Sequence, residues 1–277
     1  ATATKTDTPL NEVPASLSVV PAQVMRDTAM QSMGEVFRYV PGVVSHQGEG
    51  NRDQMVIRGN STNADFFVDG VRDDAQVFRD LYNLERVEAL KGPNGMIFGR
   101  GGGGGVINRV TKDATFDRAG EMVLQAGSYG QRRLTADINH ALSPRLAARV
   151  NAVVEDADSF RDGVGLQRYG VAPTITFTPA DRWRMTAAFE HFHDARAADR
   201  GIPSYRGRPI DVAPSRYFGN AADAHVDADV NLLTTLVEHR SGGWTLRNRS
   251  NVAAYDRGYQ NYVPGVVSND LSTVAVT

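Results

Sequence analysis

Hydrophobic and polar positions divide the chain into two textures. Up to Lys112 the apolar residues come in short runs of mixed spacing, broken by Gly, Asn, Asp and Ser. Thr8 to Val20, with Pro9 and Pro14, predicts an extended segment that ends in a strand at Leu17, Val19 and Val20. Met30, Met33, Val36 and Phe37 recur at spacings of three and four, which predicts one or two short helices across Pro21 to Tyr39, with Asp27 as N-cap and Pro41-Gly42 as the stop. Short strands are then expected at Gly42–Ser45, Gln54–Arg58, Asp65–Asp69, Arg86–Leu90 and Val106–Thr111, divided by polar loops such as HQGEGNRD and GNSTN.

From Ala119 the texture becomes strict alternation. Met122, Leu124 and Ala126 share a face opposite Glu121, Val123 and Gln125. Leu134, Ala136 and Ile138 oppose Arg133, Thr135, Asp137 and Asn139. Leu146, Ala148, Val150, Ala152 and Val154 oppose Arg149 and Asn151. Trp183, Met185, Ala187 and Phe189 oppose Arg184, Thr186 and Glu190. Val226, Ala228, Val230, Leu232 and Leu236 oppose Asp227, Asp229 and Asn231, and a last strand runs from Trp244 to Arg257. The links alternate between tight (Ser143-Pro144, Thr178–Asp181, Ser241–Gly243) and long (Asp156–Gln167, Asp194–His225), after a short first link at Gly127–Gly130. That is the pattern of an antiparallel membrane barrel with short turns at one end and long loops at the other. Phe177, Trp183 and Trp244 beside the tight turns suit an interfacial aromatic girdle. Arg133, Arg149 and Arg184 fall opposite the apolar row, which spares the roughly 2–4 kcal/mol that a lipid-facing Arg costs at mid-membrane.

Between the two textures lies Leu84 to Lys112, LERVEALKGPNGMIFGRGGGGGVINRVTK. Ordering each Gly instead of Ala costs roughly 0.5–1 kcal/mol, so the run from Gly101 to Gly105 gives up about 2.5–5 kcal/mol and needs a geometric reason. A phosphate loop does not fit: Lys91 precedes the glycines, and Val106 and Ile107 continue as strand where a helix should open. A dinucleotide fingerprint lacks the same helix. A flexible linker does not explain flanks dense in Glu85, Arg86, Glu88 and Lys91.

The stretch closely resembles the end of the plug domain in TonB-dependent outer-membrane receptors for siderophores, which has the form LERVEVLKGPxxxxFGxGxxGGVINxVTK; Ala89 stands where Val is usual. YVPGV, MVIRG and FFVDGVRDD fall in the order that plug requires, so the resemblance runs from about Thr6 to Lys112. It implies an α+β plug domain at residues 1–115, inside an antiparallel transmembrane β-barrel whose opening strands occupy 119–277. About seven strands are expected here, of about 22 in a complete barrel, because a lumen wide enough for a plug needs that many. It also implies an outer-membrane location and active import of a ferric siderophore, most like the catecholate type, with energy transmitted by TonB. Alternatives are a receptor for another chelate, such as haem or cobalamin, or a passive porin or adhesin, which would not need the plug.

Composition adds exclusions. The net charge is −2 and there is no basic run, which argues against nucleic acid. With no cysteine there is no disulfide framework and no Cys-ligated zinc. No stretch of 18 apolar residues can form a spanning helix, but a mean hydropathy of −0.34 is compatible with barrel strands. The polar opening ATATKTDTPL holds no signal peptide, so a processed N-terminus is expected. A TonB box would precede it, leaving Ala1–Thr4 as at most its tail.

No catalytic set is recognisable: GxSxG and HExxH are absent, and Asp73, Asp74, Glu85 and Glu88 read as surface charge. His191 and His193 share a strand face but have no third ligand implied by spacing, so no metal and no cofactor are expected; iron arrives inside its chelate. Flat anionic ferric chelates suit Arg, aromatic and amide contacts. The resemblance places three apical plug loops at His46–Asp53, Asn60–Asn63 and Asp74–Tyr82, which gives Arg52, Asn60, Gln76, Phe78 and Arg79 as ligand contacts. The longest barrel loop adds Tyr205, Arg206, Arg216, Tyr217 and Phe218. By the same resemblance, Arg58 of IRG and Lys91 of KGP pair with barrel-wall glutamates beyond Thr277; Lys91 lacks the two-pronged fork an arginine would bring.

Overall fold

The computed structural model describes residues 8–9, 12–13, 16–46, 48–73, 75–92, 99 and 103–277. The presumed box tail, Gln47, Asp74, and much of the glycine stretch (93–98 and 100–102) lie outside the described residues. Strand β1 (Ser16–Pro21) leads into helices α1 (Ala22–Asp27) and α2 (Met33–Phe37). Asp27 closes α1 instead of capping a helix. The cap of α2 is Ser32, whose hydroxyl accepts from the Glu35 backbone N–H while the Glu35 carboxylate accepts from Ser32, a reciprocal capping box.

Strands β2 (Val43–His46), β3 (Gln54–Ile57) and β4 (Asn60–Thr62) form a small antiparallel sheet. The GNSTN segment is therefore partly strand, with Asn60 paired to Ile57. Strands β5 (Phe66–Val68), β6 (Val71–Arg72), β7 (Leu84–Lys91) and β8 (Gly105–Thr111) join β1 in a mixed sheet of order β1-β7-β8-β5-β6. Its core is Met33, Val36, Phe37, Met55, Ile57, Phe66, Leu84, Val87 and Ile107, all essentially inaccessible. Two of the acids expected at the surface are inside: Asp73 is buried, and buried Glu88 accepts from Arg86 Nε at 2.8 Å and from Asn108 Nδ2 at 3.0 Å.

The glycines that follow β7 have a backbone reason. A Cβ on Gly104 would stand 2.3 Å from the Ile57 carbonyl oxygen, and one on Gly105 would stand 2.3 Å from that of Leu90. The run lets the return strand slide in between β3 and β7, where no side chain fits.

The second texture forms one antiparallel sheet of seven strands: β9 (Ala119–Ala126), β10 (Arg132–Ser143), β11 (Leu146–Asp158), β12 (Gly165–Phe177), β13 (Trp183–Arg196), β16 (His225–Ser241) and β17 (Trp244–Gln260), paired in that sequence. The long link 197–224 carries a small hairpin, β14 (Ser204–Tyr205) and β15 (Arg208–Pro209); a further hairpin, β18 (Pro264–Val267) and β19 (Val274–Val276), follows β17. The sheet curves round the plug. Met122, Leu124, Ile138, Val150, Val154, Ile175 and Phe189 face outward and are exposed, while Arg133, Asn151, Glu155, Arg168 and Thr176 face inward and are buried. Phe177, Trp183 and Trp244 are exposed beside the tight turns, as expected.

One strand inverts the expectation. On β16 it is Val226, Ala228, Leu232 and Leu236 that are buried against the plug side, and Asp227, Asp229 and Asn231 that face outward with His191 and His193 of β13. Ala228 packs on Ala75 and Val77 of the plug, so an apolar plug surface selects an apolar inner wall. The outward pairs are His193 Nδ1 to Asp229 Oδ1 and His191 Nδ1 to Asn231 Oδ1, each 2.9 Å. Among the described residues no group of three or more His, Asp or Glu is placed to hold a metal.

Candidate functional site

Tight turns gather at one end of the sheet, and the links 127–131, 159–164 and 197–224 at the other. The plug turns its loop 48–53 and its segment 75–79 toward that second end. Gly50, at φ +74°, lies so close to the link that a Cβ would meet the Asp199 carbonyl oxygen at 2.7 Å. Phe78 lies under the Arg196 guanidinium at 4.0 Å. Gly50, Phe78, Leu166, Arg196 and Asp199 help line a cavity of about 270 Å³ between plug and wall. Arg161 donates to Asp199 Oδ2 at 2.9 Å and to the carbonyl of Pro214, which ties link 159–164 to link 197–224. The Tyr217 hydroxyl donates to the Ala198 carbonyl at 2.7 Å. The result is a cup whose floor is plug and whose rim is links.

Of the sequence-derived contacts, Arg52, Phe78 and Tyr217 belong to this cup. Gln76 is exposed on the plug segment that runs toward it. Arg52 Nη1 donates to Glu49 Oε2 at 2.8 Å and to Asn51 Oδ1 at 2.9 Å. Asn60 is exposed beside Gly103. Tyr205 and Arg206 form the β14–β15 turn, with the Arg206 guanidinium 5.1 Å over the Tyr205 ring and the Tyr205 hydroxyl 3.1 Å from Asn269 Oδ1. Arg216 lies 5.4 Å over Phe218.

Arg79 corrects the expectation. It is only 3% exposed and points into the plug, where Nε donates to Asp73 Oδ2 at 2.8 Å, Nη1 lies 3.6 Å from Asp53 Oδ2, and Nη2 bonds the Ala75 carbonyl. A guanidinium so committed organises the loop that carries Phe78 and does not line the cup.

Beneath the cup, plug and wall are bolted by charge, with ion pairs of both senses. The plug supplies the anion: Asp80 accepts from Arg133 Nη1 and Nη2 at 2.8 and 2.7 Å and lies 3.1 Å from Arg168 Nη1, and Glu155 joins both arginines at 2.6 Å. Burial opposes ionisation of Asp80, but Arg168 and Arg133 outweigh it and hold the carboxyl below its ordinary range. Arg249 of β17 reaches Asp69 Oδ2 at 3.1 Å, and Lys112 reaches Asp137 Oδ2 at 2.9 Å. Glu190 of the wall accepts from Asn83 Nδ2 at 2.9 Å and from the Tyr82 hydroxyl at 3.2 Å. Tyr82 fits because Gly170 leaves it room; a Cβ there would meet its hydroxyl at 2.9 Å.

Lys91 Nζ donates to Ser18 Oγ at 3.0 Å and to the Pro41 carbonyl at 3.2 Å, and exposed Arg58 packs beside Gly92. Sequence reasoning missed Asp80, Arg133, Glu155 and Arg168. Period two marks the last three as inward-facing, but nothing local marks Asp80 as their partner.

This arrangement matches known proteins. Residues 9–106 match the TonB-dependent Receptor Plug Domain family. The catecholate siderophore receptor Fiu of Escherichia coli (strain K12) is 30% identical over 96% of this chain and 37% of its own length. The metal-pseudopaline receptor CntO of Pseudomonas aeruginosa is 32% identical over 99% of this chain and 39% of its own length. The crystal structure of the siderophore receptor PiuA from Acinetobacter baumannii superposes with a TM-score of 0.88 at 28% identity, covering 93% of this chain and 38% of that one. The chain thus spans well under half the length of these relatives. A plug of the matching family, closed by its glycine run and enclosed by an inward-polar, outward-apolar wall, places the chain among the TonB-dependent receptors of the bacterial outer membrane.

Proposed function

We propose that the protein of which this chain is part binds a ferric siderophore, of the catecholate type, at its outer face and imports it with energy delivered through TonB. The observation that carries this reading is the cup, in which an aromatic side chain, Phe78, and arginines from plug and wall converge above a charge-bolted plug. Flat anionic rings bind through guanidinium forks and stacking, and those groups line the cup. The relatives differ in cargo, since one is named for catecholates and another for a metal-pseudopaline complex, and the reading toward the first rests on the chemistry of the cup. Arg52, Gln76, Phe78 and Tyr217 are the contacts assigned to cargo. Arg58 and Lys91 are assigned to the part of the wall that this chain does not include, and TonB to the segment at its N-terminal side.

The test is growth under iron limitation with a panel of purified siderophores, comparing strains with and without the gene, together with fluorescence quenching of the full-length receptor. A ferric tris-catecholate is expected to bind with sub-micromolar affinity, and Phe78→Ala to weaken it about tenfold, as loss of a stacking contact would. Gene-independent growth on every siderophore of the panel defeats the reading.

A further inference from the structure

We propose that Arg257 of β17 is a specificity-determining residue: with Arg52 of the plug it forms one anion-binding site that selects negatively charged ferric chelates over neutral ones of similar size. The inference rests on the siderophore reading above. On β17 the residues opposite Val226, Ala228 and Val230 are Tyr259, Arg257 and Tyr255, and these partners all belong to the inward face. The two tyrosines fix where that face looks. The Tyr255 hydroxyl stands 3.5 Å from Asp73 Oδ1, and the Tyr259 hydroxyl donates to the Glu49 carbonyl at 3.0 Å. Arg257, between them, therefore overhangs the plug loop that carries Arg52.

Its charged neighbour there is Arg52 itself, a like charge. Among the described residues no carboxylate pairs with Arg257. Of the loop's two acids, Asp53 is buried against Arg79 and Glu49 is shared by Arg52 and Arg200. Arg52 Nε is buried and has no hydrogen-bond partner. Two guanidiniums in one neighbourhood and an unpartnered N–H leave the floor of the cup with unbalanced positive charge and an unmet donor. Such an arrangement is unfavourable until an anion enters, and planar oxygen pairs fit the guanidinium fork best. Tyr217 and Tyr259 are neighbours on the same side, so aromatic walls flank the charge. Neutral chelates gain nothing from the pair and leave the repulsion in place.

The experiment uses the full-length receptor and two probes, a trianionic ferric tris-catecholate and a neutral ferric trihydroxamate, with binding read by fluorescence quenching at low and high salt. Heat-modifiable gel mobility confirms the fold of each variant. Arg257→Gln is expected to weaken the tris-catecholate about tenfold or more and to reduce the salt dependence, with the trihydroxamate unchanged. Arg257→Lys should retain most of the affinity, and Arg257→Glu, which neutralises Arg52, should lose it. The inference is overturned if Arg257→Gln matches wild type, if it loses both probes equally, or if Lys and Glu behave alike. Wild type that binds the trihydroxamate but not the tris-catecholate overturns the inference and the catecholate assignment but leaves the wider siderophore reading standing; wild type that binds neither overturns all three.

Discussion

Asp53 and Asp73 flank the same guanidinium, yet they titrate in opposite directions. Burial pushes both carboxyls up. At Asp73 two arginines, Arg79 at 2.8 Å and Arg109 at 2.6 Å, outweigh burial and hold the group well below its usual range. Asp53 has the more distant edge of the Arg79 guanidinium, at 3.6 Å, and the Arg79 backbone N–H, and burial still leaves it at about 6 against an ordinary 3.8. Between those values the folded protein keeps a proton that the unfolded chain has lost, so stability falls as pH rises through that window and stays low above it. The offset corresponds to at most about 3 kcal/mol. Asp53→Asn keeps an acceptor for the Arg79 backbone N–H and removes the titration. It is expected to flatten the decline between about pH 4 and 6 and to raise stability at pH 7 by on the order of 1–3 kcal/mol. Thermal unfolding of the full-length receptor across that range checks this, and a wild-type midpoint that rises from pH 4 to 6 contradicts it. Asp73 acts in the reverse sense: its contribution is present at neutral pH and is lost only as pH falls below the ordinary carboxylate range.

At the scale of elements, what repeats locally was legible and what depends on a distant partner was not. Period two located β9, β10, β11, β13 and β16, while β12 was bounded only by the links on either side of it, and spacings of three and four located the helices, because both periods follow from backbone geometry alone. Asp27 was misread as a cap because the reciprocal pair of Ser32 with Glu35, directly before the apolar residues Val36 and Phe37, is the signal that discriminates. The inner face of β16 depends on what the plug presents to it, Ala75 and Val77, which lie more than 150 positions before Ala228 in the chain. Arg79 likewise looked like an exposed loop arginine because Asp53, its backbone acceptor, lies 26 positions away. The glycine run was legible as a geometric demand but not in its cause. That cause yields a prediction. Gly105, at φ +142° and with the Leu90 carbonyl 2.3 Å from any Cβ, has no conformation open to another residue. Gly105→Ala is expected to destabilise the plug by about 1–3 kcal/mol, read as a lowered unfolding midpoint and faster proteolysis near β7 and β8. Gly99, with nothing within 4 Å of its Cβ, serves as the control for crowding.

At the scale of the whole molecule, the wall explains both its length and its exposure. Strands β16 and β17 each have 17 residues, where about 9–11 suffice to cross a membrane, so their upper ends rise past the lipid. That accounts for the outward Asp227, Asp229, His191 and His193 lying above an apolar belt that includes Phe189 and Leu233. Among the described residues the sheet ends in two open edges, β9 and β17, since the strand order places no strand beyond either. Each edge offers unpaired backbone groups next to apolar side chains: Leu124 is 79% exposed on β9, and Val252 and Trp244 are 69% and 66% exposed on β17. Unprotected edges of that length pair with whatever strand they meet. The 277-residue chain made alone is therefore expected to assemble edge to edge, giving large particles by light scattering in detergent-free buffer and mixed oligomers in detergent, while the full-length receptor runs as one species. Lys substitutions at Leu124 and Val252, which put charge on both edges, should shrink the assemblies of the short chain. A short chain that stays monomeric without detergent would mean that its edges are covered, and that the wall closes on itself around the plug.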